Sequence, residues 1–332
     1  MRKADCHQIF AQIHAGHCSI DGNFITVSAQ PAQRKASIAC GAIHEWNDVE
    51  KATDGRVVME VLADNGGLKK SHLDIVDGVI QGDIQFYALM GSILGPITPT
   101  MNVQSLPFAF RDNTDVYGSM DGLLGEYLRR ELGTKGLYLV PGGLMENGFR
   151  HIVTNTQPVK DVSDLEGLVI RIPEGQVFEE TFRALGAKPE PLFVLELYDA
   201  LKTGKLQAQE NPLAIIDSLK LHEVTKYISM TSHMWSGFNL IGNLGFWEAL
   251  PVDIQEIILH QVRIHIGRQR QYTIDLNLEL ATSLKSQGMV FNMVDTKPFR
   301  QRLAGTFYQR WKAELGSEVW RLLEAQVGKL AE

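Results

Sequence analysis

The chain has 332 residues, of which 44% are hydrophobic and 21% charged, and its formal charge is −7 at pH 7. That length exceeds what one hydrophobic core usually supports, so two lobes are expected. No stretch gathers the Lys and Arg that a nucleic-acid binder needs, and no uninterrupted apolar run of about 18 residues is present to span a membrane.

The first 22 residues, "MRKADCHQIFAQIHAGHCSIDG", open with a basic dipeptide as an export signal does. His7, Gln8, Gln12 and His14 interrupt what would be its apolar core, so as written it is a poor signal and reads as a tail of unclear role. Cys6, His7, His14, His17 and Cys18 carry atoms that suit zinc, but their spacing matches no finger or knuckle. A mobile tail is the favoured reading and no metal is expected. With Cys40 they complete a set of three cysteines, which is no disulfide framework and leaves the redox compartment open.

From Phe24 a regular pattern begins. "FITVSAQ" reads as a strand, residues 37–53 as a helix, "RVVMEVLA" as a second strand, "KKSHLDIVDGVIQG" as a second helix and "DIQFYAL" as a third strand. Such alternation implies a mostly parallel sheet covered on both faces. Pro96, Pro99 and Pro107 punctuate an irregular segment, followed by a helix expected over residues 113–132 and a strand at "LYLVPGG". The same grammar restarts at "FRHIVTN", with a helix at "DVSDLEG", the strand "LVIRIP", a helix over 175–185, then "LYDALKTG" and "LQAQENPLAIIDSLK". Two α/β units are therefore expected, each with its own sheet. Between Pro251 and Pro298 no proline intervenes, and the helix-favouring run from Asp253 would extend about 50 Å, enough to cross both lobes.

Signatures of catalysis are missing. "TGK" at 203–205 lacks the rest of a phosphate-binding loop, no G-x-G-x-x-G opens a helix, and neither G-x-S-x-G nor H-E-x-x-H occurs. His151, His222 and His233 are scattered and read as capping or packing residues. The informative residues are arginines. "GLVIRIPEG" places Arg171 at the end of a strand that looks buried, where an unpaired guanidinium would cost several kcal/mol. Arg150 in "NGFRHIVTN" repeats the pattern. Two such arginines can converge as a carboxylate clamp, because the guanidinium fork matches a carboxylate; an internal salt bridge to Glu174, Glu210 or a neighbour is an equal alternative. Asn211, directly before Pro212, fits either a helix N-cap or an amide facing a cleft. Trp235 and Phe238 in "HMWSGFN" could wall a pocket, though core positions suit them better.

These segments together resemble a known family. "NGFRHIVTNTQPVKDVSDLEGLVIRIPEG", "LGAKPEPLFVLELYDALKTGKLQAQENPL" and "HEVTKYISMTSH" are similar to the solute-binding proteins of tripartite ATP-independent periplasmic (TRAP) transporters, and "TDGRVVMEVL" and "GDIQFYA" fit the first lobe. The resemblance runs from about Phe24 to near the C-terminus, and R-x-P, E-x-Y-x-A-L and Q-E-N-P in this order are specific. It implies Arg171 as principal carboxylate ligand, Arg150 as its support and Asn211 as a third contact, with Tyr87 and Val194 at further pocket positions. Gln207-Ala208 stands where Asp-Gly usually precedes Q-E-N-P, which alters a turn and leaves Asn211 in place.

The expected fold is α/β, a two-lobed periplasmic-binding-protein-like fold of type II joined by hinge segments and a long shared helix. Lobe I takes residues 23–147 and 236–275, and lobe II takes residues 148–235 and 276–332. The expected function is that of an extracytoplasmic, periplasmic receptor, not an enzyme, that holds an organic acid between its lobes and hands it to TRAP membrane subunits. The substrate-binding set is Arg171, Arg150, Asn211, Tyr87, Val194, Trp235 and Phe238, with no cofactor, no metal, no nucleic acid and a monomeric state. An α/β enzyme acting on a carboxylated substrate and a sensory ligand-binding protein are the alternatives. Sugar acids, C4-dicarboxylates, 2-oxo acids and aromatic acids all satisfy the clamp, and Tyr87, Trp235 and Phe238 tilt it toward an aromatic or apolar-tailed one.

Overall fold

The structure, a computed structural model, describes residues 26–29, 46–62 and 71–330. The expectations for the first 22 residues, zinc-type ligands included, lie outside the described residues, as does the start of the helix expected over 37–53. The first third gives β1 (Thr26–Ala29), a helical stretch at residues 46–52, β2 (Glu60–Leu62), α1 (His72–Gln81) and β3 (Phe86–Met90). Local chemistry sets the bounds of α1: Ser71 and Asp74 form a reciprocal capping box, and Gly82 ends the helix at φ 86°. Ile75, Val76 and Val79 form its buried face. The strands pair in parallel with β1 in the middle.

The helix expected over 113–132 is two, α2 (Asn113–Met120) and α3 (Leu123–Gly133), because Gly122 takes an extended conformation that interrupts the ladder. There follow β4 (Leu137–Thr154), β5 (Val169–Ile172), α4 (Gln176–Ala184), β6 (Lys188–Pro191), α5 (Leu197–Lys202), β7 (Ala208–Asn211), α6 (Leu213–Ser218) and β8 (Tyr227–Asn243). The chain ends through α7 (Leu244–Ala249), α8 (Val252–Ser286), β9 (Val290–Met293), α9 (Lys297–Leu303), α10 (Thr306–Leu315) and α11 (Ser317–Val327). "DVSDLEG" forms only a 3-10 turn, Val162–Leu165, closed by its own Asp161–Asp164 capping box.

The expectation of two separate sheets is corrected. One nine-stranded sheet runs β2-β1-β3-β8-β4-β7-β5-β6, with β9 also on β8. Its join is the antiparallel pair β4 and β8, matched from Leu137 opposite Asn243 to Thr154 opposite Tyr227. Pro141-Gly142-Gly143 does not end a strand; register shifts at Leu139/Leu144, Glu146/Gly148 and Arg150/Ile152 absorb the irregular residues as bulges. β3 extends the C-terminal part of β8 into one lobe, while β7 on the end of β4 and β9 on the start of β8 build the other. The two-stranded ribbon is thus the connection between lobes. α8 braces it: Gln269 hydrogen-bonds both backbone groups of Glu146, and Asn277 accepts from the Ala214 N–H at 3.1 Å.

Within residues 276–332, expected with lobe II, the three terminal helices pack in two directions. α9 packs on α4 of that lobe, but α10 and α11 pack on the Pro99–Ser105 turn and on α2 and α3. Tyr308, Trp311 and Trp320 are buried there, an aromatic face too large to be left in water, and the Tyr308 hydroxyl donates to the Pro107 carbonyl.

Candidate functional site

β5 is a short apolar strand between β6 and β7, and Arg171 lies in register with Glu190 on one side and Gln209 on the other. Its side chain is 3% exposed, and Nε and Nη2 both donate to the Leu192 carbonyl at 2.9 and 2.5 Å. No ion pair to Arg171 exists among the described residues. Burial pulls its pKa down to about 10, the nearby charge of Arg150 adding to the fall while Glu210 and Glu174 oppose it.

Arg150 differs. Its Nε and Nη2 hold the Glu210 carboxylate, Nη2 also reaches the Glu210 carbonyl at 2.7 Å and Asn211 Oδ1 at 3.1 Å, and Nη1 reaches Ser236 Oγ at 3.2 Å. Glu210 is fully buried; burial works against its ionisation, but Arg150 and His233 outweigh it and hold the carboxyl below its ordinary range. His233 is kept neutral mainly by burial, and since a carboxylate only accepts, its Nε2 carries the proton shared with Glu210 at 3.2 Å. Of the two alternatives open for each arginine, Arg150 realises the internal salt bridge and Arg171 does not.

Asn211 closes β7, and the residue capping α6 is Pro212, with no side chain satisfying the helix start. The amide is therefore not an N-cap. Asn211 Oδ1 accepts from Arg150, and Nδ2 donates to Gln209 Oε1 at 2.6 Å. Arg171, Arg150 and Asn211 thus gather at one end of the second-lobe sheet.

The other expected positions separate into two groups. Tyr87, buried in β3, places its hydroxyl 2.7 Å from His72 Nδ1, and the His72 ring lies 6.1 Å from that of Phe193 in the second lobe. Burial lowers the pKa of His72, with Glu174 opposing. Val194, half-buried, opens the turn after Phe193. The lobes also meet where Gly175 comes against Ser92: at φ 145° a side chain would be strained, and a Cβ there would lie 3.6 Å from that of Ser92. Between Ser92 and Asn102 on one side and Glu174 and Gln176 on the other runs a groove of about 470 Å³.

Trp235 and Phe238 sit in β8, 1% and 4% exposed, within the main apolar core. The Trp235 N–H donates at 2.9 Å to Glu146, a buried carboxylate whose pKa burial raises against the hydrogen bonds of Tyr117 and Trp235. This pair belongs to the ribbon and is not gathered around Arg171. Sequence reasoning missed Gln209, His72 and Phe193. Gln209 served there only as a marker of Asn211, although the polar run Gln-Glu-Asn in an otherwise apolar strand was itself a signal. Among the described residues no group of three or more His, Cys, Asp or Glu could hold a metal ion.

Residues 32–313 match the family described as bacterial extracellular solute-binding protein, family 7. A 2,3-diketo-L-gulonate-binding periplasmic protein of Escherichia coli is 28% identical over 266 residues, 79% of each chain. A C4-dicarboxylate-binding protein of Bacillus subtilis is 29% identical over 242 residues, 73% of this chain and 68% of its own. A solved TRAP periplasmic solute-binding protein from Polaromonas, bound to D-erythronate, is similar with a TM-score of 0.83 and 27% identity, covering 92% of this chain and 99% of that one.

Proposed function

We propose, from the premise that this chain belongs to the bacterial extracellular solute-binding protein family 7, that it is an extracytoplasmic receptor which closes two lobes over an organic acid. It then delivers the acid unchanged to the membrane subunits of a TRAP transporter. The observation that carries this reading is Arg171: a buried guanidinium, well placed in a sheet, with no ion pair among the described residues. A charge left so is stabilised by an anion that enters the site. Diketogulonate, C4-dicarboxylates and erythronate, named for the relatives, all carry a carboxylate.

Arg150 has a different part in this reading. Paired with Glu210 and bonded to Asn211, it holds the frame in which Asn211 and Arg171 face the acid. The moving bodies are residues 23–147 with 236–275, and residues 148–235 with 276–303; α10 and α11 travel with the first. Tyr87 acts across the cleft through His72 and Phe193, Val194 borders the acid beyond them, and Trp235 and Phe238 shape the ribbon behind it.

A thermal-shift screen with D-erythronate, 2,3-diketo-L-gulonate, succinate, D-galacturonate and an aromatic acid tests the reading. An acid at 100 times its Kd adds about 2.7 kcal/mol of stability. The stabilising acid should be recovered unchanged, and Arg171→Ala should abolish the shift. A shift that survives in Arg171→Ala, or turnover of the acid, refutes it.

A further inference from the structure

Gln209 is fully buried in β7, and its Nε2 has no hydrogen-bond partner among the described residues. Its neighbours fix which end of the amide is the nitrogen. Arg150 Nη2 can only donate, so the Asn211 atom 3.1 Å away is Oδ1. Asn211 Nδ2 then faces Gln209 at 2.6 Å and must meet Oε1. The orientation passes along the chain Glu210–Arg150–Asn211–Gln209 and ends in a buried NH2 group, Gln209 Nε2, for which no described residue supplies an acceptor.

That donor lies level with Arg171. The two residues are register partners in the parallel pair β5 and β7, on the same face of strands about 4.8 Å apart. Arg171 directs Nε and Nη2 to Leu192, and its Nη1 makes no hydrogen bond to the described residues. Gln209 Nε2, neutral and buried, and Arg171 Nη1 beside it, charged, thus both lack an acceptor among the described residues. A buried N–H is rarely left so, and a single carboxylate, with two oxygens, satisfies both.

We propose that Gln209 is a ligand-contacting, specificity-determining residue: one carboxylate oxygen rests on Arg171 Nη1 and the other takes the N–H of Gln209. Here the guanidinium supplies charge and the amide supplies the second point that fixes the carboxylate plane. The proposal rests on the reading of this chain as an organic-acid receptor.

The test is calorimetry of the full chain with D-erythronate, succinate and D-galacturonate, comparing wild type, Arg171→Ala, Gln209→Met and Gln209→Glu, with melting temperatures recorded without acid. Gln209→Met should weaken binding about ten- to a hundredfold, the range for a hydrogen bond to a charged group. Gln209→Glu keeps an oxygen for Asn211 Nδ2 and sets a carboxylate beside Arg171. It should therefore raise the ligand-free melting temperature while weakening binding more than a hundredfold, a pair of opposite changes that a merely structural role would not produce. If either Gln209 variant binds as tightly as wild type while Arg171→Ala does not, the inference is overturned and the receptor reading stands. Binding that survives Arg171→Ala removes the receptor reading, and this inference with it.

Discussion

Exchanging each arginine for Met should separate the paired guanidinium from the reserved one without any ligand present. Arg171 titrates at about 10 instead of its ordinary 12.5, chiefly through burial. Each tenfold in acidity is worth about 1.4 kcal/mol, so holding this charge in the fold costs roughly 3 kcal/mol more than holding it in water. Arg171→Met recovers that cost and loses two charge-assisted hydrogen bonds to the Leu192 carbonyl, at about 1.5 kcal/mol each. The ligand-free protein should therefore end about as stable as wild type. Arg150→Met instead strands the Glu210 carboxylate, which has no solvent exposure, and should cost about 3–5 kcal/mol. Urea titration at pH 7 without ligand measures both. Binding should respond differently: Arg171→Met should lose about 2–5 kcal/mol of affinity for the acid, some 30-fold to several thousandfold. A drop of 3 kcal/mol or more in the ligand-free stability of Arg171→Met would refute the reasoning, since it would mean the charge is already neutralised within the fold.

Asn211→Ala should weaken acid binding and cost the ligand-free protein about 1–2 kcal/mol, because its amide bridges Arg150 and Gln209; unfolding of α6 alone, seen by hydrogen exchange, would indicate a capping role instead. His151 accepts from the Ser232 N–H at 3.2 Å, and burial, with His233 adding to it, pushes its pKa down to about 3. An unfolded imidazole titrates near 6.5, so as pH falls from about 6.5 to 3 only the unfolded chain gains this proton and stability drops by about 1.4 kcal/mol per pH unit. His151→Gln should flatten the acid slope of the urea midpoint, and an unchanged slope would count against the assignment. Saturating acid should reduce the radius of gyration in solution scattering, and Phe193→Ala, which removes the second-lobe partner of His72, should lessen that compaction. Curves that stay the same with and without acid would rule out lobe closure.

The alternation of short apolar strands with glycine-ended helices is local, and so it was legible before any coordinates: α1, β3, β5 and α8 fall close to where periodicity and capping residues put them. The oddity of Arg171 was legible for the same reason, since a charge in an apolar strand is visible within nine residues of sequence. Its meaning was not. Whether Arg150 or Arg171 is paired depends on Glu210, 60 residues from Arg150 along the chain and brought beside it only by the register of β4 on β7. Strand continuity was decided the same way: Pro141 and its glycines look like a stop, yet pairing along the whole of β8 holds β4 together through its bulges, and β8 with its small and polar residues carries no clear strand period of its own. Propensity acts over a few residues, whereas the choice among pairings is made by the partner strand and by the cost of burying a charge alone. The sequence by itself therefore determined which residues were out of place. Only the tertiary structure decided which were satisfied, because the partner of a buried polar group is set by the packing of distant segments.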